Sequence, residues 1–328
     1  MKTMGNNTQT AWELGEFELI QKIQGAFPDV DLTDDCGWLD YRSEEKLLLT
    51  TDAAVRGVHF PMESKYLENG GYRGLAGAIS DINGSAGNPI AVLMALSIPS
   101  DLTAKEFYSF IAGIKEYSNK SRVPVIGGNI TRGVDLTGTF TVIGSAKKPI
   151  SRSGAQPGNL LVLTGSVGGS EAGRILLSQN NESLELNAEM LASLTQRHLR
   201  PDPPLGIGEK LANADATSMI DISDGLLADA KHISESSGVC LHIELERIPL
   251  FPGVREFSEK QAYKPEILAA RSGEEFELLA TIPSQNLNKL KNLKRTCTVI
   301  GRVKKGCGLE VILDGETIEP SECGWTHF

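Results

Sequence analysis

Aspartates that follow apolar, strand-like segments are the most chemically suggestive feature of this 328-residue sequence. The segments are "TDDCGWL", "LLLTTDAAV", "AISDI" and "MIDISDGLL", and they carry Asp34, Asp35, Asp52, Asp81, Asp221 and Asp224. A carboxylate at the end of a buried strand costs free energy unless it is paired or coordinated. One such Asp is commonly a helix N-cap, and Asp224, directly before Gly225, is a candidate for that role. Several together indicate a site for more than one Mg²⁺ ion, because hard cations bind sets of oxygen ligands.

Other polar residues near these segments have both a functional and an ordinary interpretation. Thr50 and Thr51 precede Asp52 and offer oxygen ligands, although threonine is also simply common in strands. Arg152 in "SRSG" suits a phosphate, or is a solvated loop charge. His59 in "RGVHF" and Glu274 in "SGEEFELL" are also residue types that are common on ordinary protein surfaces. The glycine-rich segment 164–173 predicts either a phosphate-binding helix N-terminus or a tight connector.

Common signatures of other enzyme classes do not occur in the sequence. It contains neither G-x-x-x-x-G-K-[ST] nor G-x-G-x-x-G, which excludes a P-loop and the Rossmann fingerprint. It contains no H-E-x-x-H motif and no cysteine cluster that would bind zinc. A G-x-S-x-G nucleophile elbow is also missing. Phosphate chemistry in this chain therefore needs another set of residues.

Charge and composition limit the partners and the compartment. The net charge of −10, from 42 acidic and 32 basic residues, argues against a nucleic-acid partner. Five cysteines without a C-x-x-C pair predict reduced thiols in a cytoplasmic protein. We expect no membrane association, since the longest apolar run, at 91–96, is too short to span a bilayer and the N-terminus lacks a signal-peptide pattern.

The elements that position the aspartates follow from apolar periodicity. Helical spacing predicts helices over 15–27, 71–82 and 103–118, the last capped by Thr103 with Glu106 three residues later. Residues 71–82 are mostly small, which predicts close packing on a sheet. Buried strands are predicted over 46–55 and 90–99, and further strands over 124–128 and 136–146.

A second group of elements follows the turn-rich segment 151–159, which we take as the domain boundary. Strand–turn–helix units are predicted over 160–177 and 216–238, and strands over 240–248, 276–282, 297–303 and 309–315. Because single cores rarely exceed ~250–300 residues, the length also favours two domains. We therefore predict an α/β protein with domains over 1–148 and 149–328, an α+β N-terminal domain and an α/β C-terminal domain.

The ordered motifs of the chain resemble those of the thiamine-monophosphate kinases, in the superfamily of aminoimidazole ribonucleotide synthetase and selenophosphate synthetase. The resemblance extends over nearly the whole chain, from "GEFELI" to "GWTHF". It rests on "TDDCGWL", "TTDAAVRGVHF", "GYRGLAGAISDINGSAG", "SRSGAQPGNLLVLTGSVGGSEAG", "RHLRPDPP", "IDISDGLLADAKHI" and "SGEEFELL". It implies the two-domain synthetase fold, with a dimerising N-terminal domain that binds metal and ATP and a C-terminal domain that completes the ATP and substrate sites.

The resemblance also implies an activity and a set of site residues. The activity is Mg²⁺-dependent transfer of the γ-phosphoryl group of ATP to thiamine monophosphate, without a covalent intermediate on the enzyme. The implied metal ligands are Asp35, Thr50, Thr51, Asp52, Asp81, Asp221 and Asp224. Gly128, Arg152 and Ser223 correspond to ATP contacts, and His59, Glu274 and Trp325 to contacts with thiamine monophosphate. Trp325 would stack on the cationic ring system, because aromatic faces attract cations.

Five positions depart from the family pattern. In "GGNITRG", Asn129 replaces an Asp that is a metal ligand in the pattern, and a neutral amide oxygen should bind Mg²⁺ more weakly. Thr33 and Ser272 replace glycines, and "EEF" in residues 274–276 replaces Glu-Asp-Tyr. The retained aspartates favour an active kinase, whereas Asn129 favours a weakened homologue that binds nucleotide or thiamine phosphate without turnover. A sister ATP-dependent synthetase is disfavoured by "RGVHF" and "GWTHF".

Overall fold

The computed structural model describes residues 10, 14, 16–28, 44–178, 186–291, 293 and 295–319. The predictions for Asp34, Asp35 and Trp325 lie outside the described residues. The chain divides into two compact units, one of Met1–Ile82 with Pro89–Ser145 and one of Asn83–Asn88 with Ala146–Phe328. Among the described residues, every helix is too short or too polar to cross a membrane.

Within its described residues, the first unit contains a four-stranded sheet and three helices. Its strands lie in the order β1-β4-β2-β3, and β2 and β3 are parallel. Their bounds are β1 Lys46–Val55, β2 Asn88–Ile98, β3 Val125–Arg132 and β4 Thr137–Ala146. The helices are α1 Glu16–Ala26, α2 Leu67–Gly84 and α3 Ala104–Ser121, and a 3-10 turn, Ser64–Tyr66, precedes α2.

The small residues of α2 allow it to pack closely, as predicted. A Cβ atom on Gly71 would lie 2.0 Å from the carbonyl oxygen of Phe110 in α3. A Cβ atom on Gly74 would lie 2.5 Å from the Cβ of Ala54 in β1 and 2.8 Å from the ring of Phe140 in β4. The helix therefore approaches both a neighbouring helix and the sheet at distances that larger side chains would prevent.

The start of α3 confirms the predicted N-terminal cap. Thr103 Oγ1 accepts the Glu106 N–H at 3.2 Å, and the Glu106 carboxylate accepts the Thr103 N–H at 2.9 Å. This reciprocal pair is a capping box, which satisfies two of the N–H groups that a helix start leaves without partners.

The prediction that residues 46–55 form a buried strand is correct for the strand and wrong for its burial. Leu47 is 44% exposed and Leu49 is 69% exposed. The reason is topological, because β1 lies at the edge of its sheet and these two side chains share one face of the strand. An apolar run alone does not distinguish a buried strand from an edge strand with an uncovered face.

The second unit contains a seven-stranded sheet in the order β11-β10-β7-β9-β5-β8-β6. Its strands are β5 Leu160–Thr164, β6 Ser218–Asp221, β7 Cys240–Glu244, β8 Leu278–Ile282, β9 Cys297–Lys304, β10 Gly308–Leu313 and β11 Glu316–Ile318. The β7–β10 pair is parallel, and all other neighbouring pairs are antiparallel.

The helices of the second unit are α4 Gly169–Ser178, α5 Ala188–Leu199, α6 Ile207–Asn213, α7 Leu226–Ser237, α8 Val254–Lys260 and α9 Pro265–Arg271. The 3-10 turns are Leu245–Arg247 and Ser284–Leu290. Alternate residues of β5 enter different cores, since Leu161 and Leu163 belong to one apolar cluster and Val162 to another. The sheet is therefore covered on both faces, which confirms the mixed helix-and-sheet fold.

Candidate functional site

The first unit brings together two of the predicted metal ligands that are distant in sequence. Thr50 in β1 donates its hydroxyl to Oδ2 of Asp81, in the last turns of α2, at 2.6 Å. Asp52 lies two residues after Thr50 and therefore on the same face of the strand. The Asp52 carboxylate is exposed and accepts the N–H of Ala53 at 2.8 Å. Thr51 points to the other face, where its hydroxyl lies 3.2 Å from that of Thr141. One face of β1 thus carries an oxygen-rich group.

The imidazole of His59 has a defined orientation just beyond β1. Its Nδ1 accepts the N–H of Val55 at 3.0 Å. In the neutral ring the proton therefore resides on Nε2, which is the atom that can donate to a phosphate oxygen.

The paired glycines of "GGNITRG" have a structural reason within the sheet. Gly128 lies opposite Met94 in the parallel β2–β3 pair, and a Cβ atom on it would lie 1.9 Å from the Met94 carbonyl oxygen. The side chain of Asn129, which lies opposite Ala95, is exposed. Close strand pairing therefore accounts for glycine at 128, and the ATP contact implied there stays a prediction.

In the second unit, the loop after β6 carries three predicted site residues, Asp221, Ser223 and Asp224. Asp221 is 5% exposed and ends the strand. Gly84, the last residue of α2, belongs to this second unit, and a Cβ atom on it would lie 3.0 Å from the Asp221 nitrogen. Ser223 and Asp224 are partly exposed. The alternative that Asp224 is the N-cap of α7 is wrong, since Gly225 occupies that position and makes no side-chain cap bond.

Asp229 is the residue that shapes this loop, and sequence reasoning missed it. Its Oδ2 accepts the N–H groups of Ser223, Asp224 and Gly225 at 3.1, 3.2 and 3.2 Å. Its side chain is buried within the first turn of α7. The signal in the sequence was an aspartate one helical turn beyond the "DG" turn, a position from which a carboxylate reaches back to open N–H groups.

Negative charge accumulates around Asp229. Burial, together with the neighbouring carboxylates of Asp221 and Asp224, raises the pKa of Asp229 to about 8. Ligand atoms of Asp224, Asp229 and His232 lie within 4.8 Å of one another. Two carboxylates and one imidazole at this spacing form a group that could bind a divalent cation.

Two further predicted residues lie in loops that the second unit holds in place. The Ser237 hydroxyl accepts the N–H groups of Gly154 and Ala155 at 3.1 Å and donates to the Arg152 carbonyl oxygen at 3.4 Å. The Arg152 side chain itself is exposed. Glu274 is partly exposed, and its N–H donates to the Ser223 carbonyl oxygen at 2.7 Å, which brings the Glu274 segment against the loop after β6.

The glycine-rich turn before α4 binds an anion that belongs to the protein itself. Oε1 of Glu275 accepts the N–H groups of Gly168 and Ser170 at 2.7 and 3.0 Å. The next N–H, of Glu171, donates to the Ser272 hydroxyl at 3.1 Å. Of the two interpretations of segment 164–173, these bonds support the tight connector, because the donors that would bind a phosphate already have partners.

Family models match both halves of the chain. Residues 33–146 match the AIR synthase related protein, N-terminal domain, and residues 156–314 match the corresponding C-terminal domain. A thiamine-monophosphate kinase of Aquifex aeolicus is 35% identical over 96% of this chain and 99% of its own length. The chain belongs to the thiamine-monophosphate kinase family. A member of that family from Escherichia coli strain K12 is 32% identical over 96% of this chain and 98% of its own length.

Solved structures of the thiamine-monophosphate kinase family have the same fold. The structure of AaThiL complexed with AMPPCP and TMP superposes with a TM-score of 0.77 at 32% identity, covering 100% of both chains. The enzyme of Stenotrophomonas maltophilia K279a superposes with a TM-score of 0.80 at 29% identity, over 93% of this chain and 98% of its own. The hydrogenase maturation protein HypE shares the fold at 19% identity, with a TM-score of 0.73.

Proposed function

We propose that this protein transfers the γ-phosphoryl group of ATP to thiamine monophosphate, forming thiamine diphosphate and ADP. The observation that carries the proposal is full-length similarity to thiamine-monophosphate kinases at 35% identity. It is supported by a solved relative complexed with AMPPCP, an ATP analogue, and TMP, which covers 100% of this chain. The family likeness includes both units, so the proposal does not depend on one motif.

The described donor sets fit Mg²⁺ as the metal. Thr50, Asp52 and Asp81 supply only oxygen atoms in the first unit, and Asp221 and Asp224 do the same in the second. We propose these residues as ligands, together with Asn129, Asp35 and Thr51; because the Thr51 hydroxyl lies on the other face of β1, its carbonyl oxygen is the proposed ligand atom. When bound, the ions neutralise phosphate charge and orient the reacting oxygens for an in-line displacement.

The remaining proposed roles follow from side-chain chemistry. The exposed guanidinium of Arg152 supplies positive charge to the ATP phosphates, with Gly128 and Ser223 as further ATP contacts. His59, through Nε2, donates to the phosphate of thiamine monophosphate, and the Glu274 carboxylate complements the positive charge of its ring system, as Trp325 does by stacking. The substrate phosphate is itself a nucleophile, so the protein needs only to position it and to stabilise the charge. No covalent intermediate on the enzyme is required.

We also propose that two copies of the chain associate through the uncovered face of β1. Leu47 and Leu49 place exposed apolar surface side by side on this edge strand. Leu49→Lys should shift the protein from dimer to monomer in light scattering. Leu313→Lys is not a suitable control substitution, because Leu313 is buried in a core. A wild-type monomer at micromolar concentration would contradict the proposed dimer.

A cytoplasmic location is proposed on the state of the thiols. Cys240, Cys297 and Cys307, the cysteines that the described residues include, are all free rather than paired. Reduced thiols are the usual state in a reducing compartment.

The activity is tested by incubating the purified protein with ATP, thiamine monophosphate and Mg²⁺ and separating the thiamine phosphates by chromatography. We expect thiamine diphosphate and ADP to form in equal amounts, and EDTA to abolish both products. Asp52→Asn should lose most activity, while Glu259→Gln, a substitution on the exposed side of α8, should not. If no thiamine diphosphate forms at any Mg²⁺ concentration, but the protein binds ATP or thiamine monophosphate, the weakened homologue suggested by Asn129 is the correct alternative.

A further inference from the structure

Glu275 is a fully buried carboxylate whose oxygens all have partners. Its Oε1 accepts the hydroxyl of Ser272 at 2.6 Å in addition to the two N–H groups at the start of α4. Its Oε2 accepts Nε of Arg197, from α5, at 3.0 Å. The same guanidinium donates to the Glu275 carbonyl oxygen at 2.9 Å. Arg197 thus holds both the side chain and the main chain of residue 275.

The arginine that holds Glu275 is itself fixed from two further sides. Its side chain is 7% exposed and lies 3.5 Å from Oε1 of Glu277. Its guanidinium carbon lies 5.5 Å from the centre of the Phe251 ring. Glu277 also binds the Thr164 hydroxyl at 2.7 Å and pairs with Arg295, which makes the group around Glu275 a connected buried network.

The two residues that flank Glu275 have an unusual backbone conformation. Glu274 has a φ of 54° and Phe276 a φ of 53°, values that side chains with a Cβ atom rarely adopt. Their N–H groups donate to the carbonyl oxygens of Ser223 and Ile222 at 2.7 and 2.8 Å. Neighbouring contacts must hold such a conformation, because it is unfavourable on its own.

We propose that Glu275 is a positioning residue, which fixes the neighbouring Glu274 for the cationic substrate by anchoring the segment of residues 274–276 to α4 and α5. This inference rests on the proposed function, in which Glu274 binds thiamine monophosphate. The anchor and the two backbone bonds to residues 222 and 223 hold the segment together. With both in place, the backbone of Glu274 is restrained by its neighbours, which lowers the entropy cost of binding.

The matched perturbation is Glu275→Gln, which keeps the shape of the side chain. An amide has an NH₂ group in place of one of the two carboxylate oxygens. This NH₂ group must face a donor, either Nε of Arg197 or the N–H groups of α4, and cannot accept its hydrogen bond. The buried anchor is then weakened and the backbone of 274 is released. Glu235→Gln, an exposed glutamate on α7, is the control for loss of one negative charge.

A double-mutant cycle tests whether Glu275 acts through Glu274. The dissociation constant for thiamine monophosphate is measured by calorimetry for the wild type, Glu274→Gln, Glu275→Gln and the double variant, and KM for ATP is measured where turnover occurs. We expect Glu275→Gln to weaken thiamine monophosphate binding about tenfold, the size of one lost charge-assisted hydrogen bond, with KM for ATP within about twofold. In the Glu274→Gln background it should weaken binding no further.

The outcomes separate this inference from the function on which it rests. Independent effects that multiply in the double variant, or unchanged binding in Glu275→Gln, would overturn the positioning role. A parallel rise in KM for ATP would also overturn it, because that pattern indicates general loosening of the unit. Should Glu275→Gln not fold, Glu275→Asp, which keeps the charge and shortens the reach, takes its place with the same expectations. A wild type that binds thiamine monophosphate without turnover contradicts only the kinase proposal, and the binding cycle still decides the role of Glu275.

Discussion

Replacing Asp229 by asparagine should stabilise the metal-free protein in neutral and alkaline solution. Asp229 is 1% exposed, and this burial is the main cause of its raised pKa. The neighbouring carboxylates of Asp221 and Asp224 raise the pKa further. An asparagine oxygen can still accept the N–H groups of residues 223–225, as Oδ2 of Asp229 does. The substitution therefore removes a buried charge and keeps the geometry of the loop.

The magnitude follows from the difference in pKa between the folded and unfolded states. The pKa of Asp229 rises from 3.8 to about 8 on folding, so the folded protein holds a proton that the unfolded chain has lost. This contribution to stability is fully present below the unfolded pKa and is lost as the pH rises from about 4 to about 8. Four pKa units correspond to about 6 kcal/mol. Since relaxation and water entry reduce such penalties, we expect Asp229→Asn to gain about 3 kcal/mol at pH 8.5.

Urea denaturation in EDTA between pH 5 and pH 9 measures this gain. The difference in unfolding free energy between Asp229→Asn and the wild type should widen with pH and level off above about pH 8. Asp215→Asn is the control, because Lys289 and Lys148 hold the pKa of the exposed Asp215 below its ordinary value. Asp215 therefore changes the pH dependence of stability only below pH 5, outside the measured range. Parallel curves for the wild type and Asp229→Asn would refute the reasoning. Added Mg²⁺ should stabilise the wild type more than the variant.

Three further predictions concern other sites. Asn129→Asp should lower the Mg²⁺ concentration for half-maximal activity, since a charged ligand replaces an amide; an unchanged Mg²⁺ titration would show that residue 129 is no ligand. Thr103→Ala should lower the unfolding free energy by about 1 kcal/mol through loss of the capping box, as measured by urea denaturation; Thr317→Ala, on the edge strand β11, is the comparison and should change it less. Iodoacetamide at pH 8 should label the exposed Cys307 well before Cys297, because burial and then Glu277 raise the pKa of Cys297 to about 11; equal labelling in peptide mapping would contradict this.

Local sequence signals predicted the elements that local interactions determine. The capping box at Thr103 and the helical period of residues 103–118 predict α3, which runs from Ala104 to Ser121. The same kind of signal was overlooked for α5, whose N-cap is Asn187 and whose last turn carries Arg197 and His198. The short helices α8 and α9 have only seven residues each, too few for a clear helical period.

Residues that act through long-range contacts were not predictable from local patterns. Glu275 is one of two adjacent glutamates at a predicted strand start, a position that is commonly exposed. Its burial depends on Arg197, 78 residues earlier in the chain, and on the start of α4, more than 100 residues earlier. Asp81 and Thr50 were each predicted from their motifs, but the hydrogen bond between them, across 31 residues of sequence, depends on the packing of α2 against the sheet. Side-chain pairing of this kind is a property of the tertiary fold.

The way the second unit uses its own carboxylates supports the proposal that phosphate binding by this acidic protein needs metal ions. Exposed N–H groups at a helix start or in a loop are the usual neutral means of binding phosphate. In this unit, however, Glu275 takes the N–H groups at the start of α4, and Asp229 takes those of the loop after β6. On the proposed function, positive charge for the phosphates then comes from the exposed Arg152, in segment 151–159, and from cations bound by the proposed ligands Asp221 and Asp224. On this proposal carboxylates serve twice, since some order the backbone from within and others attract the cations that make phosphate binding favourable.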